Sequence, residues 1–181
     1  MTKLVLCRHA ENGNNNEQLA RLAAELARLS LAAVYTSPLD RARRTALAIA
    51  AERGLVPIDI PDLREIEQGD LAGLAFDEYP AGFQAELLRS PATVRFPGGE
   101  TYEDVRERMA AAIVEIVAGH PNETVAAISH AGAIRAGLAT WLQAGGDGAF
   151  RIDQSFAAIN VIDWTDGVPF VRLVNGSRAE R

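Results

Sequence analysis

Short apolar runs alternate with amphipathic helical segments along most of this chain, and this alternation constrains its fold more than any other feature. The first apolar run, residues 3–7, precedes a segment in which Leu and Ala recur at helical spacing over 16–29. Further strands are predicted over 32–36, 56–60 and 124–128, and helices over 39–53, from Thr101 to about 118, and over 132–143. Strands that alternate with helices predict an α/β fold with a mostly parallel sheet.

The end of the chain predicts a different strand pairing. Two apolar runs, 157–164 and 168–174, flank an Asp-Gly step that is typical of a β-hairpin turn. The hairpin adds an antiparallel edge, so we predict a three-layer α/β/α sandwich with a mostly parallel central sheet. No repeat or linker divides the 181 residues, which predicts a single domain over 1–181 in which the polar residues 175–181 form a frayed tail.

Composition excludes several classes of function. The 24 acidic and 18 basic residues give a net charge of −6, which disfavours binding to nucleic acid or to an anionic membrane. Cys7 is the one cysteine, so the chain cannot build an intramolecular disulfide or a zinc cluster of cysteines. There is no apolar run long enough for a transmembrane helix, and the first residues do not read as a signal peptide. The sequence therefore predicts a cytoplasmic protein.

Basic side chains follow the predicted parallel strands. Arg8 and His9 come directly after the first strand, Arg41 follows the second, and His130 follows the fourth. Ligands of open α/β sheets bind beyond the carboxyl ends of the strands, where these residues should meet. Each of them taken alone also fits a surface turn, a helix cap or a solvated ion pair. Together they predict a cationic pocket on an acidic protein, and phosphate is the natural ligand for arginine forks.

Five segments carry a resemblance to a known family. They are Leu6-Cys7-Arg8-His9-Ala10-Glu11 with Asn15 shortly after it, residues 35–46 with Ser37 and Arg41, residues 63–69 with Glu65, Pro97-Gly98-Gly99-Glu100-Thr101, and residues 129–135 with His130. In this order they resemble the motifs of the histidine phosphatase superfamily, branch 1, which has the phosphoglycerate-mutase-like fold. The resemblance spans residues 3–135.

The resemblance implies a role for each matching residue. His9 would be the nucleophile that forms a phosphohistidine, and Glu65 would protonate the leaving oxygen and then activate water. Arg8, Arg41 and His130 would hold the phosphoryl oxygens and so share in catalysis. The implied substrate-binding residues are Arg8, Asn15, Arg41, His130 and Ala131. Neither a metal nor another cofactor is implied, because arginine and histidine supply the positive charge.

Two positions depart from the family pattern. Ala10 and Ala131 stand where the family has glycine. A positive φ would strain an alanine at either position, whereas a negative φ would make it harmless, and we expect a negative φ at both. The segment after Asn15 is also shorter than the usual pattern.

These features predict a metal-independent phosphatase that hydrolyses a small phosphorylated metabolite. One alternative is a phosphotransferase of the phosphoglycerate mutase type, and another is a catalytically dead phosphate-binding or interaction module. Only about 33 residues separate Glu65 from Gly98, which favours an open site and hydrolysis over a mutase that must exclude water. The sequence leaves the oligomeric state and the identity of the leaving group open.

Overall fold

The computed structural model describes residues 1–177, in which six strands form one mixed sheet. The strands are β1 (Thr2–Arg8), β2 (Leu31–Thr36), β3 (Ile58–Asp59), β4 (Thr124–Ser129), β5 (Ile159–Thr165) and β6 (Val168–Gly176). Their order across the sheet is β3-β2-β4-β1-β5-β6. The first four strands in this order are parallel, β5 is antiparallel to β1, and β6 is antiparallel to β5. The predicted parallel sheet with an antiparallel edge is confirmed.

The α-helices cover both faces of the sheet. They are α1 (Asn16–Ala27), α2 (Asp40–Ala51), α3 (Ala81–Arg89), α4 (Tyr102–Ala118) and α5 (Ala131–Trp141). Leu22 of α1 and Ile49 of α2 belong to the apolar core on one face, whereas Met109 of α4 and Ile134 of α5 belong to the core on the other. This arrangement is the predicted three-layer sandwich. Within residues 1–177, no helix has the length and apolar character needed to cross a membrane.

The segment between β2 and α4 is where the structure differs most from the predicted elements. The strand expected over 56–60 is reduced to the two residues of β3, because Pro57 has no N–H to give to a neighbouring strand. Helix α3 was not predicted. It is held by aromatic packing, in which Phe83 lies 5.2 Å from Phe96 and 5.8 Å from Tyr79 between ring centroids. Contacts of this kind depend on the tertiary fold and leave little trace in local periodicity.

The prediction of a frayed tail over 175–181 is wrong at its start. Strand β6 continues to Gly176, because the Asn175 N–H donates to Asn160 Oδ1 at 2.9 Å and the Asn175 side chain accepts from the Ser155 N–H at 2.7 Å. These two hydrogen bonds tie the strand end to the loop before β5. Residues 178–181 of the predicted tail lie outside the described residues.

Backbone hydrogen bonds join two of the five motifs, at residues 67–70 and 97–100. The Glu100 N–H donates to the Glu67 carbonyl at 2.8 Å, and the Asp70 N–H donates to the Pro97 carbonyl at 2.9 Å. Gly69 lies at the centre of this contact with φ of +51°, and a Cβ built there would be 2.0 Å from the Pro97 carbonyl oxygen. Only glycine satisfies both the backbone angle and the close approach.

We predict that Gly69→Ala destabilises the protein more than Gly73→Ala does. Both glycines have a positive φ, but a Cβ on Gly73 would meet nothing within 4 Å. The shared cost of backbone strain therefore cancels, and the difference reports the clash at Gly69. We expect this difference in the free energy of unfolding to be about 1–3 kcal/mol, the usual cost of overpacking, measured by urea denaturation. Equal destabilisation by the two variants would contradict the close contact.

Candidate active site

Backbone hydrogen bonds that continue beyond the parallel strands bring three polar residues to one edge of the sheet. The His9 N–H, just after β1, donates to the Ser129 carbonyl at 3.0 Å, and the Ser37 N–H, just after β2, donates to the Ile128 carbonyl at 2.9 Å. His130 follows β4 directly. The expectation that the strand ends meet at one rim is confirmed.

The His9 ring is held in one tautomer. Its Nδ1 lies 2.7 Å from the Ala10 carbonyl oxygen, which can only accept, so Nδ1 carries the proton. Its Nε2 is then unprotonated and accepts from Arg41 Nε–H at 3.2 Å. Burial lowers the pKa of His9 from 6.5 to about 4; the charges of Arg41 and Arg8 act in the same direction and the Ala10 hydrogen bond opposes them. His9 is therefore a neutral imidazole whose Nε2 lone pair accepts the hydrogen bond from Arg41.

His130 lies beside His9, with ring centroids 4.9 Å apart. Its Nε2 is 2.8 Å from Ser37 Oγ, which also accepts from the Leu39 N–H at 3.3 Å. Its Nδ1 is buried and has no hydrogen-bond partner in residues 1–177. Burial, followed by the charge of Arg41, lowers the pKa of His130 to about 2.

Arg8 packs against residues of the segment that precedes β5. Its guanidinium carbon lies 3.7 Å from the centroid of the Phe156 ring, and its Nη1 donates to the Gln154 carbonyl at 2.6 Å. The Phe156 ring also contacts His9, at 5.7 Å between centroids. The Arg8 Nε is buried without a partner among the described residues. The buried, unpaired Arg8 Nε–H is a donor that an anion could satisfy.

Glu65 sits at the amino end of α5. Its Oε1 accepts from the N–H groups of Ile66 at 3.0 Å and Ala133 at 3.1 Å, and its Oε2 accepts from the Gly132 N–H at 3.1 Å. A Cβ on Gly132 would come within 2.4 Å of Oε1, so a glycine is needed for this approach. A carboxylate at a helix N-terminus is favoured by the orphan N–H groups there. The Glu65 carboxyl group therefore contacts the backbone of Gly132, which lies two residues after His130.

The two alanines at family glycine positions are unstrained. Ala10 has φ of −64°, and Ala131 is the first residue of α5 and is not among the residues with positive φ. Both expectations of a negative φ are confirmed. Asn15 is the N-cap of α1: its oxygen accepts from the Gln18 N–H at 3.1 Å and its amide donates to Glu11. Its contact with a phosphoryl group stays a prediction, as does that of Ala131.

The charges at this edge are cationic on one side and anionic at Glu65. Arg8 and Arg41 both act electrostatically on His9 and His130, and Glu65 acts on Arg8. Across residues 1–177, no three His, Cys, Asp or Glu side chains come together in a way that could hold a metal ion. The arrangement brings two imidazoles, two guanidinium groups and one carboxyl group to this edge of the sheet.

A family model described as the histidine phosphatase superfamily (branch 1) matches residues 10–177 of this chain. The chain belongs to this superfamily. The solved structure of Bacillus stearothermophilus YhfR has the same fold, with a TM-score of 0.86 and 26% identity over 94% of this chain and 95% of that one. The resemblance read from the five motifs is confirmed.

Two curated relatives of this histidine phosphatase have phosphatase names. Phosphoserine phosphatase 1 of Hydrogenobacter thermophilus is 34% identical over 157 residues, which cover 75% of this chain and 74% of that protein. The metal-independent phosphoserine phosphatase of Arabidopsis thaliana is 36% identical over 111 residues, which cover 58% and 46% respectively. The chain spans about half the length of three mycobacterial relatives that it also matches.

Sequence reasoning did not find every residue of this histidine phosphatase site. Phe156 and Gln154 contact Arg8, although they lie 148 and 146 positions further along the chain. Neither residue lies in one of the five motifs. Ser37 lies in one of the five motifs, but the sequence does not predict its hydrogen bond to His130. The sequence offers one signal for Phe156, which is an aromatic residue just before a predicted strand. An aromatic residue of the core or of a turn would give the same signal.

We predict that the His9 imidazole of this histidine phosphatase stays neutral far below pH 6.5. The ring should titrate near pH 4 when its proton resonances are followed by NMR, because burial disfavours the charged form. The unfolded chain binds a proton at this ring near pH 6.5 and the folded chain does not, so the free energy of unfolding should fall as pH drops from about 6.5 towards 4. An imidazolium at His9 at pH 5.5 would contradict the description of the site.

Proposed function

We propose that this chain is a metal-independent phosphatase that hydrolyses a small phosphomonoester through a phosphohistidine at His9. The observation that carries the proposal is the fixed tautomer of His9. A hydrogen bond to the Ala10 carbonyl leaves Nε2 with its lone pair, and burial keeps the ring unprotonated. A nucleophile in this state needs no base to remove a proton from it.

In the first step, His9 Nε2 attacks the phosphorus atom in line with the ester oxygen. The N–P bond forms as the P–O bond to the leaving group breaks, and the phosphoryl group passes to the ring. Arg41 donates to Nε2 in the free protein. A bound phosphoryl group would draw this guanidinium onto its own oxygens and free the lone pair for attack.

Charge on the three transferring oxygens is stabilised by side chains that lie beside His9. Arg8, Arg41 and an Nδ1–H of His130 are the donors with this task, and the buried, unpaired Arg8 Nε and His130 Nδ1 support it. We include Asn15 and Ala131 as further substrate contacts at the pocket edge. Preorganised donors of this kind typically contribute a factor of about 10²–10³ each.

Glu65 supplies and recovers the proton. It protonates the leaving oxygen during the first step, then takes a proton from the water that attacks the phosphohistidine, which releases inorganic phosphate and neutral His9. Oε2 accepts only one of the three backbone hydrogen bonds, so it has room for this proton.

L-Phosphoserine is the first substrate to test. The relatives from Hydrogenobacter thermophilus and Arabidopsis thaliana are named phosphoserine phosphatases, and the latter is named metal-independent. The alkyl leaving group of phosphoserine also needs the proton that Glu65 would give. The mutase and the catalytically dead module are separated from this proposal by products: a mutase returns an isomeric phosphoester, and a dead module releases no phosphate.

We predict that His9→Ala loses phosphoserine hydrolysis to below about one thousandth of the wild-type kcat, because the nucleophile is absent. Phosphate release should be measured together with trapping of acid-labile label on the chain from a ³²P-phosphoester. The label should appear on the wild type and not on His9→Ala. His120→Ala is the matched control and should keep its activity, since the hydrogen bonds of the His120 ring within residues 1–177 go to Tyr35 and Glu123.

Excess EDTA should leave wild-type turnover unchanged in the same assay. Wild-type activity in His9→Ala would refute the assigned nucleophile. Inactivation by EDTA, reversed by added metal, would refute metal independence alone.

We predict that Glu65→Gln is impaired in proportion to the basicity of the leaving group. An alkyl ester such as phosphoserine needs a proton on its leaving oxygen and should lose about 10²–10⁴ in kcat/KM, whereas para-nitrophenyl phosphate should lose about tenfold or less. The measurement is kcat/KM for both esters in both proteins. Equal losses on the two esters would remove the acid role from Glu65.

A further inference from the structure

Arg108 of α4 divides its hydrogen bonds between Glu100 and the segment that carries Glu65. Its Nε donates to Glu100 Oε1 at 2.8 Å, and its Nη2 donates to Glu100 Oε2 at 2.9 Å. Its Nη1 donates to the carbonyls of Asp62 at 2.7 Å and Arg64 at 2.9 Å. The remaining Nη2 bond goes to the Glu65 carbonyl at 3.1 Å. These five bonds use all five donors that an arginine has.

The segment held in this way has little support of its own. After a short 3-10 helix at Pro61–Leu63, the backbone has no regular structure until Gly69, so its carbonyls need partners from elsewhere. Ser129 Oγ–H donates to the carbonyl of Leu63 at 2.7 Å. Side chains of α4 and β4 thus satisfy four successive carbonyls, from residue 62 to residue 65.

Glu100 completes the arrangement by fixing Arg108. Its Oε2 also accepts from the Glu67 N–H at 3.0 Å, and its Oε1 accepts from Arg64 Nη2 at 2.9 Å. The side chains of Arg108 and Glu100 are only 10% and 15% exposed. Burial raises the pKa of Glu100, but hydrogen bonds from Arg108 and the Glu67 N–H outweigh it and lower the pKa overall. The ion pair is therefore a fixed, charged support on both sides of Glu65.

We propose that Arg108, oriented by Glu100, is a positioning residue that sets the Glu65 carboxyl group against the leaving oxygen, an inference that rests on the proposed phosphatase function. The planar guanidinium matches two features at once, a bidentate carboxylate and a row of carbonyls. Lysine has three donors on a single nitrogen, so it cannot bind the carboxylate and the row of carbonyls at the same time. The position of Glu65 relative to His9 is thereby coupled to α4, which itself contributes no group to the phosphoryl site.

The test is Arg108→Lys, which keeps the charge and removes the fork. A general acid displaced by about an ångström loses on the order of 10²-fold, so kcat for phosphoserine should fall about 10–100-fold. The kcat for para-nitrophenyl phosphate, which needs little protonation, should fall less than about threefold. Arg106→Lys is the matched control: Arg106 lies on the same helix, pairs with Glu103, and should leave both esters unaffected.

A double-variant comparison separates positioning from general loss of structure. In a Glu65→Gln background the acid is already absent, so adding Arg108→Lys should cost less than about a further threefold on phosphoserine. If Arg108→Lys costs as much in that background as in the wild type, or costs the same on both esters, Arg108 does not act through Glu65 and the inference is wrong.

A variant that does not fold is replaced by a milder one. Should Arg108→Lys show no cooperative thermal unfolding, Glu100→Gln weakens the same support while keeping its shape, and it should give the same leaving-group dependence with a smaller loss. An equal loss on the two esters, or none, would overturn the inference. A wild-type chain that hydrolyses neither ester would instead refute the proposed phosphatase, and the role of Arg108 with it.

Discussion

The pairing of β1 with β4 is the interaction on which the rest of the site depends. Because these strands are parallel and in register from Lys3 to Arg8, the chain leaves both of them at the same level. The His9 N–H then continues the ladder to the Ser129 carbonyl. A shift of one residue in this register would turn His9 and His130 to opposite faces of the sheet. The two imidazoles are thus neighbours because of backbone hydrogen bonds.

Burial among cations is the second constraint, and it explains how two histidines remain neutral. An exposed imidazole is half protonated near pH 6.5, whereas burial and the adjacent arginine charges lower the pKa of His9 to about 4. Under the proposed function, the same arginines that disfavour a proton on His9 would attract a phosphoryl oxygen. One set of charges would then keep the imidazole neutral and select an anionic ligand on a chain whose net charge is −6.

The sequence was most informative where a signal is local. Apolar periodicity predicted the sheet and four of the helices, and the motifs predicted that Arg41 and His130 would lie near His9. It was least informative where contacts join distant residues. Helix α3 depends on packing between aromatic rings, and Asn175 belongs to β6 because of its bonds to Asn160 and Ser155. Arg108 reads as one more arginine on an amphipathic helix, and only the fold reveals the five acceptors around it.

The contacts that Phe156 and Gln154 make with Arg8 have a consequence for the order in which the chain folds. The His9 carbonyl also accepts from the Ala157 N–H, 148 positions further along the chain. These contacts close a long loop, and their chain entropy is lost before any contact energy is gained. We therefore expect the pocket to be completed late in folding, when the segment before β5 packs against the end of β1.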